Sequence, residues 1–352
     1  MQANVPPPGQ PSVSVVITNF NYARYLQQAV LSALQQRNVE VEVLIVDDHS
    51  TDDSAAVIEQ LVALDPRVSC VMRGANGGPA VAFNDGVARA SGTYLVRLDA
   101  DDLLTPGSLS RSVAVVERFP GVGLVYGNPV HFHRVVPGRA RMRPTGWSVW
   151  AGQDWLALRC AVGVNCITSP EVLMRTSVLR EVGGMRQLRH THDFELWMRL
   201  ARAADVARVD GADQAWHREH DASLSASQVD GLRDLQERRE AFTVLFTDSH
   251  SEEVESGHLL EVAMAALADE AITRTTQAYS AGRGGTSETE AYMAFAREIH
   301  PNLETLGRSR ALALALRLGP VAARRSPYLI VKAIQHRVEL ERRKSRWART
   351  GL

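Results

Sequence analysis

The densest chemistry in the chain is Asp99-Ala100-Asp101-Asp102. Three carboxylates in four positions repel one another by about 4 kcal/mol per close pair, even at an effective dielectric near 20. A fold keeps them together only where a cation or hydrogen-bond donors offset that cost. They follow the run Tyr94–Leu98, which reads as a strand. Oxygen ligands at a strand end suit a hard divalent cation, Mn2+ or Mg2+, shared with substrate phosphates; an acidic turn capping the next helix is the alternative. Asp47-Asp48 is a second acidic pair behind a strand, placed to accept from a ribose hydroxyl or a base N–H, or else to cap a helix. In Trp216-His217-Arg218-Glu219-His220 the period of two puts Arg218 and His220 on one side of an extended chain. Arginine matches phosphate oxygens in a fork and imidazole binds Mn2+ or Zn2+, though a polar surface strand has the same spelling. Asp193 opens a helical pattern, either as a general base or as a carboxylate stabilised by the helix dipole. His190 and His192 precede it, but no cysteine or third carboxylate completes a zinc set. Cys70, Cys160 and Cys166 are scattered and odd in number, so neither a disulfide framework nor paired zinc spacing is present.

These groups need elements to carry them. Val13–Ile17 is a β-branched run ended by Thr18-Asn19-Phe20-Asn21. Tyr22 to Leu34 then repeats its apolar residues at three and four, the period of a helix. Val41–Val46, a helix from about residue 54 that Ser50, Thr51 or Asp52 can cap, Val68–Met72, a helix over Ala80–Ala90 and Tyr94–Leu98 continue the alternation. Such alternation implies parallel strands joined by right-handed helical crossovers. Ligands of such sheets bind beyond the carboxyl ends of the strands, so the clusters at 18–21, 47–52 and 99–102 should share one edge. Further on, Pro106–Phe119 reads as a helix, and Val122–Tyr126, Val130–Val136, Glu171–Met174, Val206–Val209 and Ala215–His220 read as strands. Helices are expected at 176–182 and 193–203, and a mobile basic loop at 137–144. Trp147, Trp150 and Trp155 suit a core better than a sugar platform. Beyond about residue 226 the pattern is helical throughout.

The 352 residues are 45% apolar, enough for two or three domains with real cores. A formal charge of −1 argues against a nucleic-acid binder. No apolar run nears the ~18–20 residues of a spanning helix, and residues 1–12 read as a flexible lead without the marks of a secretory signal. With so few cysteines, the cytoplasm is the expected compartment. Charge is uneven: residues 306–352 hold 12 basic and 2 acidic side chains, leaving 27 and 38 in the first 305. A basic tail on an acidic body points to an anionic partner. Peripheral contact of 306–352 with an anionic membrane surface is the expectation, and a docking or self-association helix is the alternative. P-loop, dinucleotide and nucleophile-elbow patterns are absent.

Taken in order, VSVVITNFNYARYL, VLIVDDHSTDDS, NGGPAVAFNDGVARASGTYLVRLDADD, HDFELWMRLA and Arg218-x-His220-x-x-Ser223-x-Ser225 resemble family 2 glycosyltransferases, over about the first two thirds of the chain. The resemblance implies an A-type, Rossmann-like α/β fold with a mostly parallel central sheet flanked by helices. It implies a catalytic domain over 13–225, with a nucleotide-binding half at 13–105 and an acceptor half at 106–225, and a helical C-terminal region at 226–352. It further implies metal-assisted, inverting transfer from a nucleotide-diphosphate sugar, UDP-sugar first, to a carbohydrate or lipid-linked acceptor in cell-surface polysaccharide or glycoconjugate synthesis. Thr18, Asn19, Asn21, Asp48, Asp99 and Arg218 then match donor-nucleotide positions, Asp101, Asp102 and His220 metal positions, and Asp193 the catalytic base. Phe83-Asn84 departs from the family's Arg-Asn and removes a charge near the diphosphate. A non-catalytic nucleotide-sugar-binding protein of the same fold and a nucleotidyltransferase are the rival functions.

Overall fold

The computed structural model describes residues 10–220, 231–247 and 253–351, and the chain divides into two compact units. The first comprises 1–156, 166–227 and 349–351; the second comprises 157–165, 228–348 and residue 352. The 221–225 end of the last family motif lies outside the described residues, as do residues 1–9 of the lead.

In the first unit the expected alternation is present. β1 (Ser12–Asn19), α1 (Ala23–Leu34), β2 (Glu40–Asp47), α2 (Ser54–Leu64), β3 (Val68–Met72), α3 (Pro79–Arg89) and β4 (Tyr94–Asp99) follow one another. Then come β5 (Leu103–Leu104), α4 (Ser108–Arg118), β6 (Val122–Phe132), β7 (Gly146–Trp150), α5 (Gly152–Val162, counted with the second unit from residue 157), β8 (Leu173–Arg175), α6 (Thr176–Val182), α7 (His192–Ala203) and β9 (Asp205–Arg218). The strands form one mixed sheet in the order β3-β2-β1-β4-β8-β6-β9-β5, with β7 on β9. It is parallel over most of its paired residues, and β5, β7 and β8 supply the antiparallel contacts. This is the α/β sheet flanked by helices that the sequence implied.

Register explains why the polar clusters meet. Thr18 of β1 lies level with Val46 of β2 and Asp99 of β4, and Asn19 lies level with Asp47. The three strands therefore end together. Beneath them Val13, Val15, Ile17, Val43, Ile45 and Val96 form a core with Leu26, Val30 and Ala33 of α1. Each such side chain, fully buried, contributes about 1.5–3 kcal/mol. Gly86 lets α3 lie against β1, since a Cβ there would meet Val16 at 2.3 Å.

The structure differs from the sequence expectation in four places. Two expected strands at 122–126 and 130–136 are the single β6, bent by register shifts at Tyr126/Asn128. Likewise 206–209 and 215–220 are the single β9, which turns at Gly211 with φ +81°. The tryptophan-rich stretch contains β7, antiparallel to Val206–Asp210 at the far end of β9 from the acidic motif. Trp147 packs edge-on to Phe119, Trp150 stacks on Tyr126, and Trp155 is fully buried. The strand expected at 171–174 is displaced by a helical turn at Ser169–Glu171 before β8.

The second unit is helical: α8 (Gly231–Thr247), α9 (Glu253–Ser280), α10 (Ser287–Ile299), α11 (Ser309–Ala323) and α12 (Pro327–Thr350). Phe242, Leu245, Leu267, Ile272, Met293 and Phe295 are among its buried residues. α11 breaks at Gly319-Pro320, where Gly319 has φ +69°. Among the described residues no helix is long and apolar enough to cross a membrane.

Candidate active site

At the shared strand ends, Thr18 donates its hydroxyl to Asp99 Oδ1 at 3.0 Å. The same oxygen accepts Arg97 Nη2 at 2.6 Å. Asn19 is buried and turned the other way. Its Nδ2 donates to Asp47 Oδ1 at 2.7 Å and Ser54 Oγ at 2.9 Å, while its Oδ1 has no partner. Asn21 adopts φ +61° and accepts Thr51 N–H at 2.7 Å, fastening the β2–α2 loop to the β1–α1 loop. Asp52 accepts from Ala23 N–H at one oxygen and Ser54 N–H at the other, both at 3.0 Å, so one carboxylate serves the starts of α1 and α2.

Asp48 holds the loop before α3. Its carboxylate accepts Gly77 N–H at 2.9 Å and Gly78 N–H at 2.7 Å and pairs with Arg73. Gly78 sits at φ +85°, a conformation that favours glycine. Arg73 in turn pairs with Asp85 at 2.7 Å. Phe83, where the resembling family carries arginine, is fully buried, and Asn84 binds the backbone of Met185.

The acidic motif is met by β9. β5 pairs antiparallel with β9, setting Leu103 opposite Trp216, and this brings residues 217–220 over residues 101–102. Asp101 Oδ2 lies 2.9 Å from His220 Nε2. Asp102 accepts from His217 Nδ1 at 3.0 Å and from Arg218 N–H at 2.8 Å. Burial, then Asp102 and Asp99, push the Asp101 carboxyl up to about 6. Burial opposes charge on His217, but the Asp102 carboxylate outweighs it and holds the imidazole up at about 9. Burial also raises Asp102, against the two N–H bonds that its oxygens accept, which favour the carboxylate. His220 is flanked by the rings of Tyr22 and Tyr25, and its Nδ1 is buried without a partner. Arg218 is buried between the Tyr25 and Phe132 rings and donates to Asp101 O and Gln28 Oε1.

Asp193 lies in the first turn of α7 and is partly exposed. Its Oδ2 accepts the Ser169 hydroxyl at 3.3 Å, and Arg97 Nη1 donates to Ser169 Oγ at 2.9 Å. Arg97 thus joins Asp193 to Asp99 through Ser169. α7 is itself anchored by fully buried Glu195, paired with Arg199 and Arg186. His192 is buried and contacts the Arg189 carbonyl; burial, then Arg97, keep its pKa low.

Four residues here escaped sequence reading: Tyr22, Arg97, Ser169 and His217. Arg97 carried a signal, an arginine inside the apolar strand YLVRLD, because a buried charge has to be paired. Burial, then Asp101 and Asp99, push the Tyr22 hydroxyl up. Nothing in the sequence marked Ser169.

The donor set fits a hard divalent cation: buried carboxylates raised first by burial and then by neighbouring carboxylates, beside an imidazole with a free buried nitrogen. Among the described residues, no three His, Cys, Asp or Glu groups converge as a formed metal site; Asp101 and Asp102 each bond a histidine instead.

Residues 14–183 match the sequence model of glycosyl transferase family 2. An uncharacterized glycosyltransferase of Nostoc sp. is 44% identical over 114 residues, 32% of this chain and 35% of that protein. Chondroitin synthase of Pasteurella multocida is 44% identical over 99 residues, 28% of this chain and 10% of the synthase. The chain therefore spans about a third or less of these two relatives. Among solved structures, S. aureus TarS 1–349 in complex with UDP-GlcNAc superposes with a TM-score of 0.61 at 17% identity, covering 86% of this chain and 83% of that one. At that identity the likeness shows the fold.

Proposed function

On the match of residues 14–183 to glycosyl transferase family 2, we propose that the chain is a member of that family whose acidic motif serves the transfer of a sugar from a nucleotide-diphosphate donor to an acceptor hydroxyl with inversion. The observation that carries this is the Asp99–Arg97–Ser169–Asp193 chain of hydrogen bonds. It ties a partly exposed, separate carboxylate to the acidic motif across 94 residues of sequence.

In this proposal Thr18, Asn19, Asn21, Asp48 and Asp99 shape the nucleoside pocket. Thr18 and Asp99 face the ribose, and Asp48 fixes the 77–78 backbone where the base lies. Arg218 braces the diphosphate side, with its guanidinium already fixed by Asp101 and Gln28. Asp101, Asp102 and His220 would hold Mn2+ or Mg2+, which neutralises charge growing on the departing diphosphate. Asp193 accepts the proton of the acceptor hydroxyl as that oxygen attacks the anomeric carbon from the opposite side. The bond to the leaving diphosphate breaks as the new glycosidic bond forms, so one displacement inverts the centre. Phe83 supplies no cation, which would leave the charge of the diphosphate to Arg218 and to a divalent cation held by the motif.

UDP-GlcNAc in the TarS complex and the chondroitin synthase likeness favour a UDP-sugar and a polysaccharide acceptor. A thermal-shift series with UDP-, GDP-, CDP- and dTDP-sugars, with and without Mn2+, tests this. A Mn2+-dependent shift with a UDP-sugar, followed by release of UDP, is the expected result. Binding without turnover of any acceptor or water would instead favour a nucleotide-sugar-binding protein.

A further inference from the structure

Single exposed apolar side chains are ordinary on a protein surface. Here they are not evenly spread. Of the 17 exposed large apolar side chains among the described residues, nine lie within 316–340 of the helical unit. α12 shows how. Leu329, 1% exposed, packs inward with Ala311, Ala315 and Ala323, and His336 is half-buried on the same side. At about 100° per residue, Ile330, Val331, Ile334 and Val338 fall on the opposite side, and they are 43%, 50%, 57% and 44% exposed. A helix packed by one apolar stripe has a polar outer face; this one carries a second apolar stripe outward. Val321, just past the break in α11, is 74% exposed.

The surrounding charge selects the occupant. Arg324, Arg325, Lys332, Arg337, Arg342 and Arg343 are exposed around the stripe. The two acids of 306–352 are already engaged, Glu339 with Arg308 and Glu341 with Lys344. A second copy would bring the same excess of ten positive charges against itself. An anionic lipid surface complements it, with apolar side chains at the headgroup boundary and arginines among the phosphates.

We propose that the outer face of α12, with the 317–325 segment, docks the protein on an anionic lipid bilayer. This deepens the transferase proposal by naming the surface on which a lipid-linked acceptor is met, and it rests on that proposal only for its biological sense, so its test uses no activity.

The full chain is sedimented with vesicles of phosphatidylcholine alone and of phosphatidylcholine with about a quarter phosphatidylglycerol. Binding to the anionic vesicles should exceed binding to the neutral ones by about tenfold or more and weaken with salt. Ile330→Glu with Ile334→Glu should abolish it with the melting temperature unchanged, and Arg342→Glu with Arg343→Glu should reduce it about tenfold. No binding by the wild type, or undiminished binding by both variants, overturns the proposal. So does light scattering that shows a dimer which Ile330→Glu with Ile334→Glu splits, because the stripe then belongs to a second copy.

Discussion

The two units break the usual burial rule in opposite directions. The α/β unit takes charge inward: Asp48, Asp101, Asp102, Arg97, Arg218 and Glu195 are all buried, and most of their partners lie far away in sequence, up to 190 residues for Arg218 and Gln28. The helical unit also buries Glu237 and Arg238, but it pushes apolar side chains outward, and its more exposed ion pairs include ones a helical turn apart, such as Arg274–Glu270 and Lys344–Glu341. Short-range surface pairs contribute about 0.3–0.5 kcal/mol each. Buried pairs cost desolvation and are hard to break once made. Charge held inside a fold at such cost marks the unit that does chemistry, and apolar area left outside marks the unit that meets a partner.

The contrast can be broken by substitution. The largest effect is expected for Asp193→Asn, which should lower turnover by about 10²–10⁴-fold while the thermal shift with donor and Mn2+ stays near wild type. Equal loss of both would make Asp193 structural. Asp101→Asn should come next, weakening the Mn2+-dependent part of donor binding by about 10–100-fold, read by titration calorimetry with UDP. Arg97→Ala removes the link between Asp99 and Asp193 and leaves a buried serine and a carboxylate short of a donor. A cost of about 2–3 kcal/mol in urea unfolding is expected, below the roughly 3–5 of a fully buried pair because Asp99 is a third exposed.

pH sharpens the same contrast. Asp101 is raised to about 6 in the folded chain and is near 3.9 when unfolded. The folded state then binds the proton more tightly, so its contribution to stability is present below about pH 4 and is lost as pH rises towards 6. Added Mn2+ should restore stability above pH 6 and do nothing at pH 4, as followed by melting temperature. Smallest of all, Ile334→Glu should change stability by no more than about 0.5 kcal/mol, whereas Leu98→Glu in the β4 core should unfold the first unit.

Much of the architecture was legible because alternating apolar runs and polar strand ends are local signals. The crossovers from β1 to β4 followed from them, and so did the convergence of Thr18 with Asp99. β5, β7 and β8 were missed or shifted because two to five residues carry too little periodicity to register. β6 and β9 were each split in two because their bends at 126–128 and at Gly211 look like turns in sequence. The motif residues were visible by type, but their partners were not. Asp102 meets His217 because β5 pairs with β9, and that pairing is a property of the assembled sheet.

The two-residue β5 has a consequence for how the molecule is made. It is the clasp between an acidic motif near residue 100 and a segment more than 110 residues later. During synthesis the motif emerges long before its histidines exist, so contact order is high here and closure comes late. A nascent chain that stops short of residue 217 carries its carboxylates without His217 or His220, and the last strand to be laid down completes the clasp.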